Sequence, residues 1–233
     1  MRTFLFNMPG KLKSVLWGEK WLDIFLYMLF ISFFIAPFID SPAVRLLTSL
    51  LFSLLMIAGV VSMSRHTSIR MLATLVACLA ISLRWLKHIM PNPMIVKLGT
   101  LAILVFMIML TVVTLTKVFR KGPVTSHRVK GAIAAYLLFG MTWSLLYGLL
   151  DQILPNAFSL AAGVDAFTPE RQETLTYFSF VTLTTVGFGD ITPTHEISRM
   201  FVVMEALIGQ LYPATLLARL VSLQLMNQGE DKG

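Results

Sequence analysis

The sequence predicts an all-α integral membrane protein with six transmembrane helices and a re-entrant helix and loop. Three observations predict this fold class. Of the 233 residues, 56% are hydrophobic and only 13% are charged, and the mean hydropathy is +0.77. Six apolar stretches are long enough to cross roughly 30 Å of hydrocarbon as helices. One further apolar stretch, at 169–184, is too short to cross, so it is predicted to enter the membrane and stop.

The composition also excludes several classes of protein. A soluble domain of this length could not bury so much apolar surface, so membrane lipid is the expected surrounding. A disordered chain would need far lower hydrophobicity. The net charge of +7 comes from short Lys and Arg clusters between apolar stretches, which indicates membrane topology rather than nucleic-acid binding. Cys78 is the only cysteine, so neither an intrachain disulfide nor a cysteine-based metal site is expected.

The six predicted spans are separated by turns that carry helix breakers or charges. They lie at about 21–39, 43–63, 69–88, 95–118, 129–150 and 198–225. The first span follows Arg2, Lys11 and Lys13, as the apolar region of a secretory signal peptide also would. It is too long for a signal peptide, and no convincing small-residue cleavage site follows it. We therefore predict that it is retained.

The distribution of basic residues predicts that both termini lie in the cytoplasm. With the N-terminus inside, thirteen of the 19 Lys and Arg residues are cytoplasmic, as the positive-inside rule requires. We therefore expect a multi-pass protein of a cell membrane, specifically the bacterial inner membrane. The connection at 150–198 then faces outside, where its six acidic residues outnumber its one arginine and would concentrate cations.

The short helix at 169–184 has a recognisable start. Thr168 is suited to the N-cap, Pro169 to the first helical position and Glu170 to the first turn. Its 16 residues reach only about 24 Å, less than a bilayer core. The helix is therefore predicted to enter from outside and stop, with the partially negative C-terminal end towards the membrane centre. A cation would be held there and an anion repelled.

The loop that follows, at 185–190, reads Thr-Val-Gly-Phe-Gly-Asp. Non-helical backbone at membrane depth is tolerated only when it is buried in protein or lines a water-filled cavity. Two glycines separated by one residue permit backbone angles at which consecutive carbonyls point the same way. Several such chains around an axis would form rings of oxygen that replace the water shell of an ion.

The sequence Thr184-Thr185-Val186-Gly187-Phe188-Gly189-Asp190 closely resembles the selectivity-filter signature of potassium channels of the pore-loop, voltage-gated-like superfamily. The resemblance covers about 100 residues, from near Val129 to Leu225. It implies that the Thr185 hydroxyl and the carbonyls of Thr185, Val186, Gly187 and Phe188 coordinate K+. It also implies that Gly189 completes the filter, that Asp190 braces its outer mouth and that no cofactor other than K+ is bound. Each chain supplies one filter segment, and closing the ring needs four, so a homotetramer is predicted.

The short helix and the loop depart from the common pattern of this family in three ways. Phe188 stands where a tyrosine is common, and Val181 where some members carry an acid. The short helix also offers other aromatic residues in place of the tryptophans often found there: Tyr177, Phe178 and Phe180. We therefore expect packing, together with Thr182 and Thr184, to hold the filter.

The last predicted span carries three residues of interest. Gly209 lies 24 residues after Thr185, at the usual position of a hinge glycine in this family, and Pro213 follows it. Glycine and proline both allow a helix to bend, although they are also frequent in membrane helices that only pack. Glu205 is the only acid deep in a predicted span. It is expected either to hydrogen-bond the short helix at Thr182 or Thr184, or to face the water-filled cavity.

The first four spans lack the arginines of a voltage sensor. Lys97 and Lys117 are the only basic residues of the fourth span, and both lie near its ends. Moving one charge across 100 mV is worth about 2.3 kcal/mol, so steep sensing needs several. Residues 1–120 are therefore predicted to form a non-sensing four-helix domain, in which Arg84 and Lys87 reach towards the membrane surface.

Three further segments complete the predicted domain organisation. Residues 121–128 form a short cytoplasmic linker, 129–226 a pore domain with an inner helix at 198–225, and 227–233 a short cytoplasmic tail. The Gly-Pro break in the linker favours packing of each four-helix domain on the pore domain of its own chain. The tail is too short for a regulatory domain, so the sequence does not identify a gating stimulus.

Other functions fit the sequence less well. A transporter of the pore-loop kind needs four pore segments in one chain. A membrane enzyme would need acids, histidines or a nucleophile at one depth, whereas the four histidines lie near span ends. A weakly selective cation channel, or a regulatory subunit that does not conduct, remains open as an alternative to a K+-selective channel.

Overall fold

The computed structural model describes residues 27, 42–62, 67–90, 92–120, 126–159 and 169–230. Over these residues the chain forms six helices and one pair of two-residue strands. They are α1 (Pro42–Ser62), α2 (Thr67–Ile89), α3 (Pro93–Val118), α4 (Ser126–Ile153), β1 (Phe158–Ser159), α5 (Pro169–Leu183), β2 (Thr192–Pro193) and α6 (Glu196–Glu230).

The described helices agree with the predicted spans to within a few residues, except at the C-terminal end of α6. Four of them are long and apolar enough to cross a membrane: Ser68–Leu86, Pro93–Val118, Arg128–Ile153 and Glu196–Arg219. In α1 the apolar segment Ser49–Val60 is shorter than a full span. Of the first predicted span, at 21–39, only Tyr27 is described, and it is helical. The total of six spans therefore stays a prediction.

The start of α3 shows how local sequence sets a helix boundary. Asn92 has extended backbone angles, and its side-chain oxygen accepts a hydrogen bond of 2.8 Å from the amide of Met94. Pro93 occupies the first helical position, where its missing amide hydrogen costs nothing. Together the two residues end the preceding turn and begin a 26-residue helix.

The first hydrophobic core joins α1, α2 and α3 to α4 of the same chain. Its fully buried residues include Met56 in α1, Phe106 and Met107 in α3, and Leu138 in α4. A hydrogen bond of 3.2 Å between the hydroxyls of Thr111 and Thr142 also connects α3 to α4. The helices that precede the linker are thus packed directly on the first helix after it.

Arg84 in α2 packs against α1 as well as lying near the end of its span. Its Nη2 donates a hydrogen bond of 3.3 Å to the hydroxyl of Ser49, and its guanidinium carbon lies 4.9 Å from the centre of the Phe52 ring. The cation is therefore in contact with an aromatic face, an arrangement that stabilises a partly desolvated charge. This contact adds an interhelical role to the predicted reach towards the membrane surface.

The second hydrophobic core is aromatic and holds α4, α5 and α6 together. Trp143 and Tyr147 of α4 pack with Phe178 of α5, Phe158 of β1 and Phe201 of α6. The strands pair antiparallel, Phe158 opposite Pro193 and Ser159 opposite Thr192. This pairing ties the chain after α4 to the chain after the loop.

Arg219, in the C-terminal part of α6, joins this helix to the C-terminal end of α3. Nη2 of Arg219 donates hydrogen bonds of 2.5 Å to the carbonyl of Phe119 and 3.3 Å to that of Arg120. Its guanidinium also lies 5.2 Å from the Phe119 ring centre. A cation at the carbonyl end of a helix is favourable because those carbonyls lack intrahelical partners.

Candidate functional site

The site is built on α5, which contains only 15 residues. At 1.5 Å per residue it extends roughly 22 Å, less than the hydrocarbon core. Thr168, the predicted N-cap, lies outside the described residues, whereas Pro169 begins the helix as predicted. The helix ends at Leu183, and the chain continues as an irregular loop from Thr184 to Asp190.

The loop folds back on the end of α5 through its amide groups. The amide of Thr185 donates to the carbonyl of Thr182 at 2.9 Å. The amides of Val186 and Gly187 both donate to the carbonyl of Val181, at 3.0 and 3.4 Å. Three consecutive amides are thus directed at the C-terminal turn of the helix, where carbonyls have no helical partner.

These hydrogen bonds from the backbone amides fix the direction of the loop carbonyls. In a trans peptide the N–H of one residue points opposite to the C=O of the residue before it, and no described peptide is cis. Because the amides of Thr185, Val186 and Gly187 face α5, the carbonyls of Thr184, Thr185 and Val186 face away from it. The loop therefore presents a row of three backbone oxygens on its free side.

The backbone angles of the loop alternate in sign. Thr185, Gly187 and Gly189 have φ of 60°, 57° and 79°, and no other described residue between Thr184 and Asp190 has a positive φ. Glycine adopts such angles freely. A β-branched residue such as Thr185 rarely does, and its conformation stores roughly 1–3 kcal/mol of strain. The loop thus keeps its shape at a local energetic cost, as strained functional segments do.

The helix α5 is hydrogen-bonded to the antiparallel α4 along its length, and we call this set of contacts the α4–α5 ladder. Its rungs join Asp151 to Arg171, Ser144 to Gln172 and Thr176, Gly140 to Ser179, and Tyr136 to Leu183. The carbonyl of Leu183, which accepts from the Tyr136 hydroxyl at 3.1 Å, ends the helix directly before the loop. The ladder therefore fixes the height of the loop relative to α4.

The outermost rung of the ladder is an ion pair. Arg171 donates from Nε to Oδ2 of Asp151 and from Nη2 to Oδ1 at 2.7 Å. The side chains of Arg171 and Asp151 are 16% and 2% exposed, so neither charge is well solvated. Two parallel hydrogen bonds between an arginine and a carboxylate give directional as well as electrostatic stabilisation.

Asp151→Ala is expected to lower the free energy of unfolding by about 2 kcal/mol, because the largely buried guanidinium of Arg171 loses a charged acceptor. Thermal unfolding of the purified protein in detergent would measure the change. Glu196→Ala, which removes an exposed acid at the start of α6, is the matched control and should have little effect. Equal losses in the two variants would contradict a specific role for the ion pair.

Glu205 contacts both α5 and α4. It is fully buried, and its Oε1 and Oε2 lie 2.5 Å from the hydroxyls of Ser179 and Tyr147. The prediction of a hydrogen bond to α5 agrees with this geometry, but the expected partners, Thr182 and Thr184, are wrong. Ser179 lies on the turn of α5 that faces Glu205, whereas the hydroxyl of Thr184 donates to the carbonyl of Phe180 in its own helix at 2.7 Å.

Gly209 lies one helical turn after Glu205, against the end of α5. A Cβ atom at this position would lie 2.0 Å from the carbonyl oxygen of Leu183. The absence of a side chain therefore allows close contact between α6 and the start of the loop. The helix α6 continues through Gly209 and Pro213 to Glu230, so the predicted hinge stays a prediction, while the packing role of Gly209 is directly visible.

The outer end of the loop has a support that the sequence interpretation missed. The hydroxyl of Tyr177 in α5 interacts with the carboxylate of Asp190. Thr182 is buried and contributes its backbone carbonyl to the loop. Packing and the two threonines are therefore supplemented by a side-chain interaction between α5 and the end of the loop.

The contacts of the α4–α5 ladder were also not predicted from the sequence, although the sequence contains a weak indication of them. Gly140, Ser144 and Asp151 follow one another at helical spacing in an otherwise apolar span, and so do Gln172, Thr176 and Ser179 in α5. Small and hydroxyl-bearing residues at such spacing are typical of helix contacts in membranes. The pattern predicts that these faces pack, but it does not identify the partner of each residue.

A comparison with protein-family models matches the part of the chain that contains α5 and the loop. Residues 131–224, which include α5, the loop and nearly all of α4, match the family model described as "Ion channel". A segment of 84 residues is 32% identical to "Voltage-gated delayed rectifier potassium channel KCNH5" of Homo sapiens, and the Mus musculus and Rattus norvegicus proteins match equally. The match covers 34% of this chain and 8% of the length of these relatives.

The similarities and the fold agree on the class of protein. A helical structure, four described helices of membrane length and the ion-channel match fit an α-helical membrane channel. They point to a channel and not to an enzyme. Because the chain spans so little of the curated relatives, their activity is not transferred to it by similarity alone.

Proposed function

We propose that this chain is a subunit of a K+-selective channel that conducts ions passively. The observation that carries the proposal is the row of backbone carbonyls at Thr184, Thr185 and Val186, directed away from α5 by three amide hydrogen bonds. Carbonyl oxygens held in a row can replace the water shell of a dehydrated cation. In the complete filter, K+ is coordinated by the Thr185 hydroxyl and by the carbonyls of Thr185, Val186, Gly187 and Phe188.

The glycines are central to this chemistry. Gly187 and Gly189 have positive φ, with no atom within 4 Å of the position where a Cβ would lie. Their conformations allow the chain to extend the row of carbonyls without steric cost. The filter discriminates between K+ and Na+ through the size of the site or through the number and field strength of its carbonyls, and both depend on how the row of oxygens is arranged.

The functional pore in this proposal is a homotetramer around a symmetry axis. One loop lines only part of a pore, and four copies complete each ring of oxygens. The exposure of the loop side chains supports this arrangement, because Val186 is 53% and Phe188 70% exposed. Large apolar side chains next to an ion pathway need cover, and a neighbouring subunit provides it.

The supporting residues act on the filter from three sides. Thr182 and Thr184 continue the end of α5 into the loop, Asp190 braces the outer mouth, and Glu205 holds α6 against α5. Gly209 and Pro213 are proposed to be where the inner helix bends when the pore opens. In this scheme the part of α6 near Glu205 stays with the filter, and the part beyond Pro213 moves.

The membrane setting follows the distribution of charge. With both termini in the cytoplasm of a cell, the acidic connection before α6 lies outside and attracts cations to the pore entrance. The helices before the linker carry no row of arginines, so conduction is proposed to depend only weakly on voltage. No nucleic acid or cofactor takes part, and the partners are K+, lipid and the other subunits.

The decisive experiment is the reversal potential of purified protein in planar bilayers under opposed K+ and Na+ gradients. A K+-selective pore reverses near the K+ equilibrium potential and is blocked by Ba2+. Reversal midway between the two equilibrium potentials would indicate a weakly selective cation channel instead. Silence from assembled tetramers, followed by current on co-expression with a conducting partner, would indicate a regulatory subunit.

A further inference from the structure

The inner helix α6 carries a fully buried carboxyl group at Glu205. Two hydroxyls surround it, that of Tyr147 on α4 at 2.5 Å from Oε2 and that of Ser179 on α5 at 2.5 Å from Oε1. Three helices therefore meet at one carboxyl group. Carboxyl groups are rare within membrane spans, and those that occur have polar partners and a function.

The hydrogen atoms at this site can be counted. The Ser179 hydroxyl has one hydrogen to donate, yet its oxygen lies 2.7 Å from the carbonyl of Gly140 as well as 2.5 Å from Oε1 of Glu205. A backbone carbonyl only accepts. If the Ser179 hydrogen is directed to Gly140, the short contact with Glu205 needs a second hydrogen, and only the carboxyl group can supply it.

The surroundings of Glu205 favour the same assignment. Among the described residues no lysine or arginine forms a salt bridge with it, and Arg171 of α5 is paired with Asp151 of α4. The titratable groups of α4 within electrostatic reach are Tyr147 and Tyr136, and Ser179 faces it from α5. An unpaired charge in such a place would be very costly.

We infer that Glu205 is a neutral positioning residue, a carboxylic acid that donates its hydrogen to Ser179 and accepts from Tyr147, and thereby ties the inner helix to both helices that support the filter. Gly209 adds the second contact one turn further, against the carbonyl of Leu183. Ser179 and Leu183 are themselves one turn apart on α5, so two successive turns of α6 match two successive turns of α5.

Infrared spectroscopy of the wild type in lipid tests the protonation state directly, because a protonated carboxyl and a carboxylate absorb separately. At neutral pH we expect a protonated carboxyl band that is lost in Glu205→Gln and retained in Glu196→Gln, the matched exposed acid of the same helix. Loss of a carboxylate band in Glu205→Gln, with no protonated band in the wild type, would overturn the inference. This readout does not depend on whether the protein conducts.

The positioning role is tested by two replacements of similar size. Glutamine can still accept from Tyr147 and donate to Ser179, so Glu205→Gln should keep the dwell time of the conducting filter within about twofold of the wild type. Leucine leaves the Tyr147 hydroxyl without its acceptor and the Ser179 oxygen without its donor, so Glu205→Leu should shorten this dwell time about tenfold or more. Equal dwell times in the glutamine and leucine variants would contradict the positioning role.

The positioning role of Glu205 rests on the proposed function, and experiments can contradict the role and the function separately. Wild-type protein that does not conduct would argue against the channel, while the infrared result would still decide the state of Glu205. If the leucine variant fails to assemble, Ser179→Ala and Tyr147→Phe each remove one hydroxyl with little change of shape. Wild-type dwell times in both of these variants would also overturn the positioning role.

Discussion

Gly187→Ala is expected to lower the selectivity of the proposed channel for K+ over Na+ by about tenfold or more, while leaving each subunit folded. Gly187 has a φ of 57°, and a Cβ at this position meets no atom within 4 Å. Within one chain the substitution therefore tests the backbone angle and not the available space. An alanine at this angle is strained by roughly 1–2 kcal/mol. The loop is expected to relieve the strain by turning a neighbouring peptide plane, which removes a carbonyl from the row.

The reversal potential under opposed K+ and Na+ gradients measures this effect. A strain of this size corresponds to roughly a tenfold change in an equilibrium, so the K+ to Na+ permeability ratio should fall by about that factor or more. Gly99→Ala is the matched control, because its Cβ would lie 3.6 Å from Cβ of Leu83, an ordinary contact. Unchanged selectivity in Gly187→Ala, with assembled tetramers, would refute the assignment of the loop as the filter.

Gly209→Ala is expected to destabilise the assembled protein severely. Its Cβ would lie 2.0 Å from the oxygen, 2.8 Å from the carbon and 3.0 Å from the Cα of Leu183. All three are backbone atoms, so no side-chain rotation relieves the clash and one helix must move. Overpacking of this kind costs about 1–3 kcal/mol, and displacement of Leu183 also weakens its hydrogen bond with Tyr136.

Pro213→Ala is the informative comparison for this prediction. It lies one turn beyond Gly209 in the same helix, and alanine there restores a backbone donor without adding a clash at α5. If Gly209 is a packing position, Gly209→Ala lowers the unfolding temperature and Pro213→Ala does not. If both residues act only as a hinge, both variants keep the wild-type unfolding temperature and both alter the open probability. Thermal unfolding and single-channel recording together separate the two interpretations.

The fold was predictable because hydropathy reports burial in lipid along the chain. The bounds of α2, α3 and α4 follow from long apolar stretches that end at charges or prolines, and α5 was recognisable as too short to span. The loop was predictable for a different reason. Two glycines separated by one residue indicate an unusual backbone, and Gly187 and Gly189 do have positive φ. Thr185, with its β-branched side chain, gave no such indication.

The contacts that hold the loop were not predictable, because a hydroxyl in an apolar helix can bond either to a carbonyl of its own helix or to a group on a neighbouring helix. Thr74, Thr100 and Thr114 each donate to the carbonyl four residues earlier in their own helix. Ser179 instead bonds to the carbonyl of Gly140 and contacts Glu205. The difference depends on the register of α4, α5 and α6, which the pattern of residue types does not contain. Thr182 and Thr184 were therefore reasonable but wrong partners for Glu205.

The α4–α5 ladder also determines the order in which the re-entrant segment can form. Its rungs close loops that lengthen steadily towards the filter, from 20 residues at Asp151 and Arg171 to 28 and 32 at Ser144, 39 at Gly140 and 47 at Tyr136. The first closure has the lowest entropic cost, and each later one adds only a few residues to a loop already closed. All of these contacts lie within one chain, and those with the smaller sequence separation are expected to form faster. A newly synthesised subunit can thus attach α5 to α4 from the Asp151–Arg171 ion pair towards Leu183, before it meets any partner.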